Sequence, residues 1–67
     1  MYEVDARGLS CPEPVMLTKS ALKKQGTPLK VLVDDAIAKT NIEKLIKKEG
    51  KKLTVSENGS EFEMIIE

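Results

Sequence analysis

Histidine and tryptophan are absent from the 67 residues, and cysteine, tyrosine and phenylalanine each occur once. One cysteine cannot form an internal disulfide, and without histidine the chain cannot assemble a zinc site from cysteine and histidine ligands. Catalytic pairs of cysteine or serine with histidine are excluded for the same reason. Two aromatic residues, Tyr2 and Phe62, form no stacking platform of the kind that single-stranded nucleic acid needs. The sequence therefore predicts no metal and no cofactor, and it argues against nucleic acid as the primary partner.

Net charge and long apolar segments are missing as well. Eleven basic residues balance eleven acidic residues, so the net charge of zero favours neither nucleic acid nor an anionic membrane as a partner. No segment approaches the roughly 18 apolar residues of a membrane span, and MYEVDARG has neither the basic nor the apolar region of a signal peptide. We therefore expect a cytoplasmic protein without membrane contact. Its residues 1–67 are predicted to form a single domain with a small core.

The first half of the chain has the pattern of a strand followed by a helix. YEV before Asp5 alternates apolar and polar residues and predicts a short strand. VMLTKSALKKQG predicts an amphipathic helix over about residues 12–25. Val15, Thr18 and Leu22 would form its inner side, and the glycine after it would end it.

A second strand and a second helix follow. PLKVLVDD has the β-branched density of a buried strand and ends at two acidic residues. AIAKTNIEKLIKKEG repeats apolar residues at helical spacing, and Gly50 is placed to end this helix. Its start is open between Ile37 and Thr40, because Thr40 and Glu43 have the form of a capping box.

The last segment predicts a hairpin. Asn58-Gly59 separates two alternating stretches, and this dipeptide favours a two-residue type I′ turn. The resulting order, βαβαββ, predicts an α+β fold. We expect a two-layer α/β sandwich in which a mixed four-stranded sheet carries both helices on one face.

Two further groups of residues have simple interpretations. Met16 and Met64 are expected to fill the core. A cluster of lysines at the end of the second helix is expected to be a solvated face that complements the helix dipole, with docking onto an acidic partner or RNA as the alternative. These lysines are Lys44, Lys47, Lys48, Lys51 and Lys52.

The only cysteine lies in the segment DARGLSCPEP, residues 5–14. If the first helix begins at Pro12, Cys11 is its N-cap, where the helix dipole favours a thiolate. Arg7 on the preceding loop would favour the thiolate too, whereas Glu13 would raise the pKa of a thiolate beside it. The alternative is that Cys11 is a small buried hydrophobic residue. A reactive thiol with no second thiol would act by exchange or by carrying a group on sulfur.

The same segment resembles the signature of the TusA/SirA/YedF family of small sulfur-carrier-like proteins. That signature is an aspartate, then Gly-Leu, then Cys-Pro-x-Pro (CPxP) at the start of the first helix. The resemblance extends along the chain, since the family also has the βαβαββ order, an acidic end to the second strand and a closing hairpin. RGLSCPEPVMLTK and AKTNIEKLIKKEG are most similar to the YedF branch, which is linked to selenium metabolism and often has a second domain.

The resemblance implies a sulfurtransferase-like carrier rather than a complete enzyme. Cys11 would receive persulfide sulfur, or selenium, from a cysteine desulfurase-type donor and pass it to an acceptor protein. Gly8 would permit a tight approach of the loop. The residues that would support the cysteine loop are Asp5, Arg7, Gly8, Pro12, Glu13 and Pro14.

Two other functions are open at this point. A regulatory or protein-interaction module of SirA type would need no chemistry at Cys11. A redox sensor would need a resolving thiol from a second chain, because this chain has none.

Overall fold

The computed structural model describes residues 2–10 and 12–67. Met1 lies outside the described residues, and so does Cys11 with the predictions that concern its own position. The elements follow the predicted order βαβαββ. They are β1 (Tyr2–Asp5), α1 (Glu13–Lys24), β2 (Leu29–Val33), α2 (Ala36–Glu49), β3 (Leu53–Asn58) and β4 (Glu61–Ile66). Neither helix in these ranges has the length and apolarity that a bilayer crossing requires.

The four strands form one mixed sheet in the order β1-β2-β4-β3. β1 and β2 are parallel, whereas β4 is antiparallel to both β2 and β3. The register aligns one row of apolar residues across the sheet: Val4, Val31, Met64 and Val55. Because side chains alternate between the two faces of a strand, this row and its neighbours two residues away give the sheet one apolar face.

Both helices cover that face. α1 packs on β1 and β2, α2 packs on β2 and β3, and the two helices contact each other. The predicted two-layer arrangement is therefore confirmed. The buried apolar residues between the layers are Val4, Ala6, Ala21, Leu29, Val31, Val33, Ala38, Ile42, Ile46, Met64 and Ile66.

The rotation of α1 about its axis differs from the prediction. Its buried residues are Pro14, Thr18 and Ala21. Val15 and Leu22, the expected inner residues, are half-buried beside that stripe. Met16 is 62% exposed, so the prediction that it fills the core is wrong, whereas Met64 is fully buried as predicted. The buried Thr18 hydroxyl donates to the Pro14 carbonyl at 2.8 Å, which satisfies its hydrogen bond inside the core.

The start of α2 is set by Asp35, which decides the open choice in favour of the start near Ile37 and against a capping box at Thr40. Asp35 has an extended backbone, and its carboxylate accepts a hydrogen bond from the Ile37 N–H at 3.0 Å. The helix therefore begins at Ala36, directly after its N-cap. The Thr40 hydroxyl instead donates to the Ala36 carbonyl one turn earlier, at 3.0 Å. Gly50 ends the helix in the left-handed conformation, as predicted.

The hairpin between β3 and β4 is present, but its turn is one residue later than predicted. Asn58 pairs with Glu61, so the two-residue loop is Gly59-Ser60. Gly59 has a φ of 65°, and among the described residues only glycines have positive φ. A type I′ turn needs positive φ at both loop residues, whereas a type II′ turn needs it only at the first. The loop therefore has the pattern of a type II′ turn.

Charge is distributed unequally between the two layers. The helices contain seven lysines and three acidic residues, a net charge of +4. The strands contain five acidic residues and one lysine, a net charge of −4. The lysine cluster predicted as a solvated face is exposed at all five positions. A chain with no net charge thus has a basic helical layer and an acidic sheet.

Candidate functional site

The loop of residues 6–12, here called the motif loop, joins β1 to α1 and carries most of the predicted site. It begins on the sheet, because the N–H of the buried Ala6 donates to the Leu32 carbonyl at 2.8 Å. It then turns back, with the Leu9 N–H donating to the Ala6 carbonyl at 3.3 Å. Leu9 packs against the core. The loop is therefore attached to the domain at both its strand and its first turn.

Arg7 holds the loop to two strands. Its guanidinium donates to both oxygens of Asp5, with Nε–Oδ1 and Nη2–Oδ2 distances of 2.8 Å. A third contact joins Nη1 to Glu61 Oε1 at 3.4 Å. The side-chain hydrogen bond from Arg7 lowers the pKa of Asp5 from 3.8 to about 2, and the same bond raises the pKa of Arg7.

These contacts fix the position of the Arg7 guanidinium between two carboxylates. The expectation that Arg7 favours a Cys11 thiolate stays a prediction, because Cys11 lies outside the described residues. The structure thus brings Asp5 and Arg7 together, as the motif implied, and uses them to fix the loop.

Gly8 is held by the loop that follows β2. Its N–H donates to Asp34 Oδ2 at 2.9 Å. Its φ is 80°, in the left-handed region that favours glycine. A Cβ built on Gly8 meets no atom of residues 2–10 and 12–67 within 4 Å. The backbone conformation alone therefore favours glycine at this position, and the expectation that Gly8 allows a tight approach of the cysteine loop stays a prediction.

Pro12 is the N-cap of α1. The carbonyl of an N-cap residue accepts the first hydrogen bond of the helix, and the Met16 N–H donates to the Pro12 carbonyl at 3.0 Å. The helix therefore begins at Glu13 and not at Pro12. The Glu13 N–H also donates to the Ser10 carbonyl at 3.0 Å.

The residues around Cys11 divide into an exposed and a buried group. Ser10, Pro12 and Glu13 are exposed, whereas Pro14 is buried under the first turn of α1. Pro14 is tolerated there because the first helical residues have no intrahelical partner for their N–H groups. The two prolines therefore act differently, Pro12 as the cap and Pro14 as an anchor.

Two contributors to the site, Asp34 and Glu61, were not predicted from the sequence. β1 and β2 are parallel, and the carboxyl ends of parallel strands meet at one edge of the sheet. The acidic pair after the second strand was thus a usable signal for Asp34. Glu61 is 54 residues from Arg7 in the chain, and no local pattern indicates it. Within the described ranges, no group of three acidic, cysteine or histidine residues could hold a metal ion.

Comparison with known proteins relates the chain to sulfur metabolism. The family model described as Sulfurtransferase TusA matches residues 2–67. A protein of Archaeoglobus fulgidus with the name "Putative sulfur carrier protein" is 40% identical over 55 residues, which cover 79% of this chain and 71% of that protein. The crystal structure of a SirA-like protein from Desulfitobacterium hafniense superimposes with a TM-score of 0.89 at 31% identity, over 98% of this chain and 95% of that one.

Proposed function

Since the chain belongs to the Sulfurtransferase TusA family, we propose that it is a sulfur carrier with Cys11 as the carrying residue. The observation behind this proposal is the motif DARGLSCPEP, which contains the only cysteine of the chain. The name of the archaeal relative supports the same role. A cysteine desulfurase-type enzyme would be the donor, and a second protein with a free thiol would be the acceptor.

The proposed chemistry is an exchange of one sulfane sulfur and consumes no oxidant. The Cys11 thiolate attacks the terminal sulfur of the donor persulfide, a new S–S bond forms on Cys11, and the donor cysteine leaves as a thiolate. In the second step an acceptor thiolate attacks the terminal sulfur on Cys11. The Cys11–sulfur bond then breaks, and Cys11 returns to its thiolate form.

The surroundings of the motif support a carrier more than a complete enzyme. The immediate neighbours Ser10 and Pro12 are exposed, and the loop is fixed by the Gly8–Asp34 hydrogen bond and the Arg7 ion pairs. The chain has no histidine and no second cysteine, so general-base and disulfide chemistry would come from a partner. Cys11 needs only to present a thiolate.

Intact-mass spectrometry tests this function. The protein is incubated with a cysteine desulfurase, pyridoxal phosphate and free cysteine, and the expected product is a mass increase of one sulfur atom that a reductant removes. Cys11→Ser should gain no sulfur, whereas Ser10→Ala should gain it normally. Unmodified wild-type protein, or equal modification of Cys11→Ser, contradicts the proposal.

Selenium is tested with the same assay and selenocysteine in place of cysteine, so that the donor cysteine carries a terminal selenium atom that the Cys11 thiolate attacks while the donor cysteine leaves as a thiolate. An adduct of one selenium atom on wild-type protein, formed faster than the sulfur adduct, would assign the carrier to selenium.

A regulatory module without thiol chemistry predicts that Cys11→Ala complements a deletion strain as well as wild type does.

A further inference from the structure

Exposed apolar side chains converge on a trough beside β1. The trough has a volume of about 280 Å³ and is lined by residues 2–5 of the strand, by Leu17, Ser20, Ala21 and Lys24 of α1, and by Gln25 after the helix. Leu17 and Ser20 also line an adjoining depression with Glu13 and Met16, so the trough continues to the start of α1. We call the whole feature the edge trough.

Three of the four exposed large hydrophobic residues of the described chain lie in the edge trough. These are Tyr2, Leu17 and Met16, with exposed fractions of 48%, 41% and 62%, whereas Ile37 lies elsewhere. Single exposed apolar residues are ordinary on protein surfaces, but a contiguous group of them marks an interaction site.

The wall of the trough formed by β1 is also a sheet edge. Within residues 2–10 and 12–67, β1 pairs only with β2. The Ala6 N–H donates to Leu32 of β2, and backbone groups alternate along a strand. The N–H and C=O groups of Glu3 and Asp5 therefore point to the open edge, where another strand could pair with them.

We propose that the edge trough binds an extended segment of a partner protein, which adds a fifth strand beside β1. The segment alternates apolar and basic residues. Its apolar side chains lie against Tyr2, Leu17 and Ala21, and a basic side chain lies beside Glu3 on the other face of the sheet. Main-chain hydrogen bonds provide affinity in this mode of binding, and alternate side chains provide specificity.

Charge distinguishes this occupant from a second copy of the chain. The Glu3 side chain is about half exposed, and its ion pair with Lys30 is long, at 3.9 Å, because Lys30 lies closer to Glu63 at 2.6 Å. Asp5 is already paired with Arg7, so Glu3 is the weakly compensated acid of the strand. Pairing two copies through β1 would bring a second Glu3 to the same face, and like charges on adjacent strands are destabilising. A basic segment would instead pair with Glu3.

The placement of the trough deepens the proposed function and rests on it. α1 returns over β1, so its first turn lies at the Asp5 end of the strand, and Glu13 at the end of the trough is two residues from Cys11 in the chain. A segment bound along β1 would thus extend toward the motif loop. The occupant is an extended region of the sulfur acceptor, positioned to bring its own thiol to Cys11.

A peptide-binding experiment tests the trough apart from the chemistry. The probe is a fluorescent seven-residue peptide that alternates valine and lysine, and the control peptide alternates valine and glutamate. Both are titrated into the Cys11→Ser protein at low salt and followed by fluorescence anisotropy. We expect the lysine peptide to bind at least about tenfold more tightly than the glutamate peptide, because it matches the charge of β1.

Matched variants locate the site. Leu17→Ser should weaken binding about tenfold, Glu3→Lys should reverse the preference between the two peptides, and Ile37→Ser should change neither. In amide NMR spectra, the lysine peptide should shift the signals of β1 and of Leu17, Ser20 and Ala21. Equal affinity for both peptides, an unaltered affinity in Leu17→Ser, or shifts centred on the β3 edge would overturn the proposal.

Two further outcomes separate the alternatives. Self-association of the peptide-free protein, with amide shifts in β1 as its concentration rises, would assign the trough to a second copy and overturn a partner segment. Absent peptide binding together with normal sulfur loading of wild-type protein contradicts the trough proposal alone. Normal binding without sulfur loading contradicts the carrier function alone.

Discussion

The two strand-to-helix junctions of this protein, β1 to α1 and β2 to α2, both lead the chain from the sheet into a helix, but they differ in length and in how the helix is capped. The second junction needs two residues, Asp34 and Asp35, and Asp35 caps α2 with its carboxylate. The first junction, the motif loop, needs seven residues, from 6 to 12, and ends at Pro12, which provides no side-chain cap. Both junctions lie at the same end of the parallel pair β1 and β2.

Under the proposed function, the second junction serves the stability of α2, and the motif loop serves to present Cys11. A short connection with an acidic N-cap is a common way to begin a helix. The longer loop has no such cap, and contacts from outside hold it, namely Asp34 on Gly8 and the carboxylates on Arg7. One residue of the second junction therefore supports the first. The following variants test this division.

The largest effect on the motif loop is expected from Gly8→Ala. A residue with Cβ at a φ of 80° loses about 1–2 kcal/mol of stability through backbone strain. Gly50→Ala is the matched control, because Gly50 has a φ of 72° at the end of α2 and equally open space. Urea denaturation should show similar losses for both, while only Gly8→Ala slows sulfur loading. Equal sulfur-loading rates in the two variants would contradict a special role of the motif loop in loading.

Asp35→Ala should cost about 1 kcal/mol, since it removes the N-cap of α2. Asp35→Asn retains an acceptor for the Ile37 N–H and should remain close to wild type. Thermal unfolding followed by circular dichroism measures both. Sulfur loading at a temperature where all variants are folded should be unchanged, and a slower rate in Asp35→Ala would show that the second junction also serves the site.

Asp34→Ala should have a smaller effect on stability, about 0.5 kcal/mol, because the lost hydrogen bond to Gly8 is exposed. Its effect on loading should exceed that of Asp35→Ala, since the loop loses its contact with the second junction. Amide hydrogen exchange should become faster at Gly8 and Leu9 and remain unchanged in α2. The reverse order of loading rates would contradict this assignment.

The smallest effect concerns the pH dependence of Asp5. Its pKa of about 2 in the folded protein lies below the ordinary value of 3.8, so its contribution to stability is present above about pH 4 and is lost as the pH falls toward 2. In Arg7→Gln, carboxyl NMR titration should return the pKa of Asp5 toward 3.8, and the loss of stability between pH 4 and 2 should become shallower. An unchanged titration of Asp5 would show that Arg7 does not hold it.

Periodicity was enough to predict the element order, the layers and the hairpin, because apolar spacing records which side of each element faces the core. It did not predict the exposure of Met16, since contact with the sheet decides the final rotation of α1. The turn at Gly59-Ser60 also depends on the sheet, where the pairs Val31–Met64 and Val55–Met64 fix the register and place Asn58 in the strand.

The motif identified the loop and grouped Asp5 with Arg7, but it did not reveal what holds them. The partners Asp34 and Glu61 are 26 and 54 residues away from the loop residues they contact. Such contacts depend on which strands are neighbours, and the order β1-β2-β4-β3 became known only from the structure.

The opposite charges of the helices and the sheet have a consequence for diffusion. A protein with no net charge has no overall attraction to a charged partner, yet +4 on one layer and −4 on the other give this one an electric dipole moment. The field of an approaching protein would rotate it before contact, turning the helices toward negative potential and the β1 side toward positive potential. Screening within about 10 Å at 0.1 M salt would remove this alignment, so encounter rates should fall with ionic strength even though the net charge is zero.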